Sequence, residues 1–256
     1  MKLAASTLLF AKQPLEIAFE KIAELGFTHT DLAVLEGWCH WNPSEIAKSP
    51  MAAADRLEAL ESRYGITVVS LNAGVAGSRS EQRLAMEGLR ELAMARSIPI
   101  ITLPAAGPKV SWDDEASRLE AFARGFIGSG VSLTLETHLD TLAEKIEMAV
   151  VWCERIEGLG LTLDPSHLVI GGEWPPPWDR LSPYVRHVHL RQSGTTREAL
   201  QQPVHAGCID FPALVGELTG RGYDGWFSAE YIEGFSGATP VDPSKEAREL
   251  KSLLCG

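Results

Sequence analysis

The feature that most restricts this chain is an alternation. Short apolar runs and amphipathic helical stretches follow one another from end to end. Runs at 2–9, 28–34, 66–72, 98–103, 131–136, 160–164, 185–190 and 226–231 read as strands. They are apolar nearly throughout, the pattern of strands covered on both faces of a parallel sheet. Helical spacing fills 15–25, 51–64, 80–95, 114–128, 141–156, 211–221 and 243–254, with a short Pro-rich helix expected at 173–182. Gly26 follows the first helix as a stop signal.

Alternating strand and helix calls for a parallel sheet. Eight such units in 256 residues fit closure into one (β/α)8 TIM barrel, a single α/β domain over residues 1–256. An open doubly wound sheet that binds a dinucleotide would carry G-x-G-x-x-G after its first strand, and none stands there. No composition break or low-complexity segment marks a second domain. Two longer insertions, Leu35 to Ser49 and Gln192 to Cys208, fall on the side where barrel enzymes build their sites.

Charge narrows the function classes. The formal net charge is −11, with no basic run, which argues against a nucleic-acid partner. No apolar stretch reaches the length of a membrane span. The N-terminal apolar run stops at Phe10, with Lys12 and Gln13 just behind it, and reads as a first strand rather than a signal peptide. Cys39, Cys153, Cys208 and Cys255 are widely spaced and form no C-x-x-C pair. They read as reduced thiols of a cytoplasmic protein.

The chemistry sits where four consecutive strands end. Leu133-Thr134-Leu135-Glu136, Leu161-Thr162-Leu163-Asp164, His187-Val188-His189-Leu190 and Ser228-Ala229-Glu230-Tyr231 each deliver a polar residue after an apolar run. In a parallel barrel these ends share one mouth. Three carboxylates brought together repel one another unless a cation compensates them. Carboxylate oxygens with one imidazole suit Mn²⁺, Mg²⁺ or Co²⁺, and Zn²⁺ is compatible.

Asp164-Pro165-Ser166-His167, His187-Val188-His189-Leu190, Gly207-Cys208-Ile209-Asp210-Phe211 and Ala229-Glu230-Tyr231 resemble the xylose isomerase-like TIM barrel superfamily. More narrowly they resemble its sugar (phosphate) isomerase/epimerase group, which includes ketose 3-epimerases and hydroxypyruvate isomerase. The resemblance implies one divalent metal ion held by Glu136, Asp164, His189 and Glu230. It selects His189 over His187, which alternation alone does not, and leaves His187 one layer deeper as a core histidine. It implies that Glu136 and Glu230 also exchange the substrate proton, through a metal-stabilised enediolate. It also implies that His167 contacts a substrate oxygen, and it allows a homo-oligomer.

Further substrate-binding candidates are Arg191, Trp38, His40 and Asn72. Arg191 and Arg197 could hold substrate oxygens or a phosphate. Trp38 could stack on a sugar face and His40 could bond a hydroxyl, while Trp112 is expected to seat a loop. Thr195 stands where some epimerases have an arginine, and Arg191-Gln192 replaces a usual acidic residue.

The expected activity is therefore isomerisation or epimerisation of a small sugar or related hydroxycarbonyl compound. A metal-dependent dehydratase of inosose type is the alternative. An endonuclease IV-like hydrolase lacks its histidines at the third and fourth strand ends, which read Asn72-Ala73-Gly74 and Pro104-Ala105. A non-catalytic sugar-binding barrel would be expected to have lost one of the two glutamates.

Overall fold

The structure is a computed structural model that describes residues 1–256. Eight parallel strands form the barrel: β1 (Leu3–Ser6), β2 (His29–Leu35), β3 (Thr67–Gly74), β4 (Ile100–Pro104), β5 (Ser132–Glu136), β6 (Leu159–Leu163), β7 (Val185–Leu190) and β8 (Trp226–Ala229). Closure is explicit in the pairing. β1 bonds β2 with Ala5 opposite Thr30, and bonds β8 with Ala5 opposite Ala229. The principal helices are α1 (Leu15–Glu24), α2 (Pro50–Tyr64), α3 (Arg79–Arg96), α4 (Trp112–Phe126), α5 (Ile146–Arg155), α6 (Pro165–Ile170), α7 (Phe211–Gly220) and α8 (Pro243–Cys255). None of the helices is long and apolar enough to cross a membrane.

The strands are less uniformly apolar than they read. On the side toward the helices stand Leu133, Leu135, Leu161, Leu163, Val188 and Phe227, all in one apolar core. The alternate positions carry polar groups that meet inside the barrel. Thr102 Oγ1 lies 3.0 Å from Thr134 Oγ1 and 2.7 Å from Thr162 Oγ1. Ser70, Asp31, His187 and Ser228 form a second buried group. Hydroxyls that bond one another remove the cost of placing them there.

Several expected boundaries shift for local reasons. The first strand stops at Ser6, whose hydroxyl accepts the Leu8 N–H at 3.3 Å and starts a 3₁₀ turn, Thr7–Phe10. The helix expected from 141 begins only at Ile146, because Thr141 Oγ1 donates to the His138 carbonyl and holds a turn there. After β6 the first helix is α6, directly behind Asp164, and the Pro-rich stretch adds a short helix, Trp178–Leu181, and a 3₁₀ turn, Ser182–Tyr184. Asp164 caps α6 by accepting the Ser166 N–H at 2.8 Å, with Pro165 in the first turn.

The two long insertions are anchored rather than loose. Leu35 to Ser49 returns along β2 through a two-residue antiparallel strand, Cys39–His40. Buried Gln192 staples the segment before α7. Its Nε2 donates to the carbonyls of Val204 and Ile209, and its Oε1 accepts the Ile209 N–H, all at 2.9 Å. A Cβ at Gly207 would lie 2.3 Å from that Oε1, so only glycine lets the staple approach. Trp112 opens α4 and stacks on Trp152 of α5, ring centroids 4.0 Å apart.

Candidate metal centre

Glu136 ends β5, Asp164 follows β6, His189 lies in β7 and Glu230 follows β8. The Glu230 N–H still bonds the Leu190 carbonyl at 3.0 Å, which extends the β7–β8 ladder by one residue and fixes the carboxylate at the mouth. Ligand atoms of these four residues all lie within 4.8 Å of one another, and all four side chains are buried. His189 Nδ1 is 2.8 Å from Glu136 Oε1 and 3.2 Å from Glu230 Oε1.

The electrostatics fit a cation. Burial works against the charge on His189, but Glu230, Asp31 and Glu136 around it push its pKa well above the usual value. Burial would raise Glu136, yet His189 beside it draws it down to about 2. Burial dominates at Glu230 and, with Glu136 close by, pushes it up to about 8 against the pull of His189. Without a metal, the cluster thus holds protons where a divalent ion would supply charge. Three carboxylates and one imidazole are a donor set that such an ion accepts.

Asp164 is engaged through both oxygens. Its Oδ1 accepts from the Ser166 N–H and hydroxyl at 2.8 and 2.6 Å, and its Oδ2 accepts from Arg191 Nη2 at 2.8 Å. Each carboxylate oxygen has two lone pairs, so Oδ2 keeps capacity for a further partner. Burial opposes the Arg191 charge, but Asp164, Glu230 and Glu136 more than restore it. Arg191 Nη2 also donates to His167 Nε2 at 2.8 Å. Burial, then Arg191 and His138, hold His167 well below the usual histidine range, so it is neutral.

A cavity of about 430 Å³ opens above the cluster. Leu8, Leu35, Trp38 and Ile232 give it an apolar wall, and Asn72, Glu136, His138, Asp140, His167, Arg191 and Glu230 line the polar side. Of the substrate-binding candidates, Trp38, Asn72, His167 and Arg191 reach this cavity. His40 does not line it. The His40 Nε2 is spent on the Thr7 carbonyl at 2.9 Å, and its backbone sits at φ 57, which turns the ring back toward β1. Asn72 reaches further than a strand-end contact, donating from Nδ2 to Glu230 Oε1 at 2.8 Å. Arg197 is paired through both terminal nitrogens with Asp140, at 2.6 and 2.8 Å.

His187 is buried one layer below. Its Nε2 lies 3.1 Å from Ser228 Oγ and 3.3 Å from Ser70 Oγ, and burial pushes its pKa down to about 4. Sequence reasoning missed Asp31, which sits beside both histidines with no exposure to solvent. The available signal was a lone carboxylate inside the run His29 to Val34. It also missed Ser166, whose hydroxyl bridges Asp164 and Arg191, and His138, whose ring lies 3.9 Å from that of His167.

An eight-stranded barrel with this cluster at its mouth defines a class, and the comparisons agree with it. A family model described as xylose isomerase-like TIM barrel matches residues 19–253. The chain belongs to that family. It is 28% identical over 211 residues to the inosose dehydratase of Geobacillus thermodenitrificans (strain NG80-2), a match covering 69% of this chain and 64% of that protein's length. A D-tagatose 3-epimerase-like protein shares the fold with a TM-score of 0.75 at 19% identity, over 99% of this chain and 96% of that one. A xylose isomerase-like TIM barrel protein from Mycobacterium smegmatis, in complex with magnesium, has a TM-score of 0.75 at 18% identity, over 97% and 94%. At these identities the structural likenesses speak for the fold alone.

Proposed function

We propose that the protein is a divalent-metal-dependent isomerase or epimerase of a small sugar or related hydroxycarbonyl compound. One observation carries the reading. Glu136 and Glu230 flank His189 Nδ1 at 2.8 and 3.2 Å, and with Asp164 and His189 their ligand atoms all lie within 4.8 Å of one another. Two carboxyls placed at one cation position can serve as base and acid for proton transfer at the neighbouring carbon.

Glu136, Asp164, His189 and Glu230 would hold the metal. When bound there, a divalent cation supplies Lewis-acid polarisation of a substrate carbonyl, which acidifies the neighbouring C–H. One of Glu136 and Glu230 accepts the carbon-bound proton. The other returns a proton to carbon or oxygen. Asn72 donates to Glu230 Oε1 and holds that carboxyl in orientation. The roles of the two glutamates exchange in the reverse reaction. Trp38, Leu8 and Ile232 offer the apolar face of a sugar a wall, and His167 and Arg191 line the side that its oxygens would meet.

Glu136, Asp140 and Glu230 line the cavity, and of the arginines nearest it Arg191 pairs with Asp164 and Arg197 with Asp140. An unphosphorylated hydroxycarbonyl compound suits that lining, and the net charge of −11 argues against a nucleic-acid partner.

A second reading has its own support in the inosose dehydratase relative. Dehydration begins with the same proton abstraction and then expels a hydroxide, which the second of the two glutamates would protonate. One experiment separates the two. Metal-loaded protein is incubated in D₂O with three- to six-carbon ketoses, inososes and hydroxypyruvate, then followed by proton NMR and mass spectrometry. Deuterium at the carbon next to the carbonyl, in a product otherwise of unchanged mass, supports isomerisation or epimerisation. Loss of one water supports the dehydratase. Neither change in any compound, with metal bound, contradicts both.

A further inference from the structure

We infer that Asp31 is a positioning residue of the metal centre, holding the Nε2–H of His189 so that Nδ1 is the nitrogen left to face the metal. The inference rests on the metal reading above and adds to it a residue outside the ligand set.

The geometry is one of two buried atoms with only each other. Asp31 Oδ2 lies 3.3 Å from His189 Nε2, and neither side chain has any exposure. Neither atom has an aligned hydrogen-bond partner, and the 3.3 Å ion-pair approach is the polar contact each has. A buried carboxylate oxygen and a buried ring nitrogen left apart would each cost the desolvation of a polar group. Facing each other as an ion pair, they offset part of that cost. The other Asp31 oxygen is pinned, since Ser70 Oγ donates to Oδ1 at 2.5 Å.

The backbone is shaped to place this carboxylate. The β2–β3 register shifts between Thr30 and Asp31, so that Asp31 stands opposite Ser70. Such an irregularity re-aims a side chain, and these are frequent beside active sites. On its other side Asp31 is opposite Ser6 of β1, so both neighbouring strands fix its position.

The chemistry follows from the two ring nitrogens. A neutral imidazole carries one proton, and the nitrogen that binds a metal must be the other one. His189 Nδ1 faces Glu136 and Glu230, while Nε2 faces Asp31. A carboxylate on Nε2–H selects the tautomer and the ring orientation that direct the Nδ1 lone pair into the cluster. His187 does not compete for Asp31. Its Nε2 is 4.0 Å from Oδ2 and lies closer to the hydroxyls of Ser70 and Ser228.

The test measures metal binding and the ring itself, not turnover. Mn²⁺ affinity is determined by calorimetry on the full chain for wild type, Asp31→Asn and Ser70→Ala. Histidine ring nitrogens of the Zn²⁺-loaded proteins are observed by long-range proton–nitrogen NMR. Asp31→Asn keeps the volume. With its amide oxygen on the Ser70 hydroxyl, its NH₂ faces Nε2 and favours the tautomer with the proton on Nδ1.

The expected result is Mn²⁺ binding about 10- to 100-fold weaker in Asp31→Asn, with loss of the downfield Nε2–H resonance of His189. Ser70→Ala keeps the carboxylate and loosens it, so a loss of less than about tenfold and a shifted Nε2–H resonance are expected. A folded Asp31→Asn with Mn²⁺ affinity within about threefold of wild type overturns the inference and leaves the metal reading standing. If Asp31→Asn does not fold, Ser70→Ala decides, and an unchanged affinity with an unshifted Nε2–H resonance overturns it. Wild type that binds no divalent cation removes the metal reading and this inference together.

Discussion

Asn72 donates from Nδ2 to Oε1 of Glu230 across the barrel mouth, at 2.8 Å, linking the end of β3 to the residue after β8. The bond orients a carboxyl that, in the proposed mechanism, both exchanges a proton and holds the metal. Asn72→Ala is expected to lower kcat by about 10- to 100-fold, beyond any weakening of Mn²⁺ binding. Parallel kinetics and calorimetry check it. Equal losses in both would make Asn72 a support of the metal rather than of proton exchange.

Glu230→Gln keeps the shape of the side chain and removes its proton exchange. The fold is expected to persist and turnover to fall by about 10²- to 10⁴-fold, with weaker metal binding because one anionic ligand is lost. Circular dichroism, calorimetry and the NMR exchange assay read the three effects. Near-normal activity would remove Glu230 from the mechanism.

Removing the metal should destabilise the protein. Glu136, Asp164 and Glu230 are buried together, and only His189 and Arg191 offset them from within the site. A ligand that binds only the folded state at about 100 times its Kd adds roughly 2.7 kcal/mol. Thermal melts with chelator and with excess Mn²⁺ should therefore differ by several degrees. In Glu230→Gln that difference should shrink. Identical melts with and without Mn²⁺ in the wild type would contradict the prediction.

His187 gives a pH signature with a definite sign. Burial holds it neutral, its pKa pushed down to about 4 from an ordinary 6.5. Between these values the unfolded chain binds a proton that the folded chain refuses, so His187 weakens the fold as pH falls from about 6.5 to about 4. The whole window is worth about 3 kcal/mol. His187→Gln should cost about 1–3 kcal/mol at pH 7.5, where the buried ring is lost. The gap to wild type should close toward pH 4. Urea melts across this range test it, and a gap that widens in acid would reverse the assignment.

Trp38 is exposed, at 58%, yet lines the cavity. If it supplies a stacking face, Trp38→Ala should raise KM by about tenfold with little change in kcat, and Trp38→Phe should recover most of it. An unchanged KM would make Trp38 a surface residue of the loop.

The sequence made some of this site legible and hid the rest for physical reasons. Period-two alternation puts Glu136, Asp164, His189 and Glu230 at neighbouring strand ends whatever the loops do, so a strand assignment places them together. The choice of His189 over His187 was not open to alternation, because residues two apart share a side. Asp31 escaped notice because the register shift before it is a property of the pairing with β3, absent from the strand's own pattern. His40 lies outside the cavity lining with its ring on the Thr7 carbonyl, and nothing in a loop's composition announces that. The helix α6 was missed although Asp164-Pro165 carries a cap and a first-turn proline, since the apolar run behind it is only one turn and a half long.

The most direct test of the central claim is anomalous diffraction at the manganese edge from crystals of the Mn²⁺-loaded protein. The account predicts one strong peak bonded to Glu136, Asp164, His189 Nδ1 and Glu230, with His189 Nε2 on Asp31. No peak in that cluster at saturating Mn²⁺, or a peak among Asp31, His187 and His189 Nε2 instead, would contradict it.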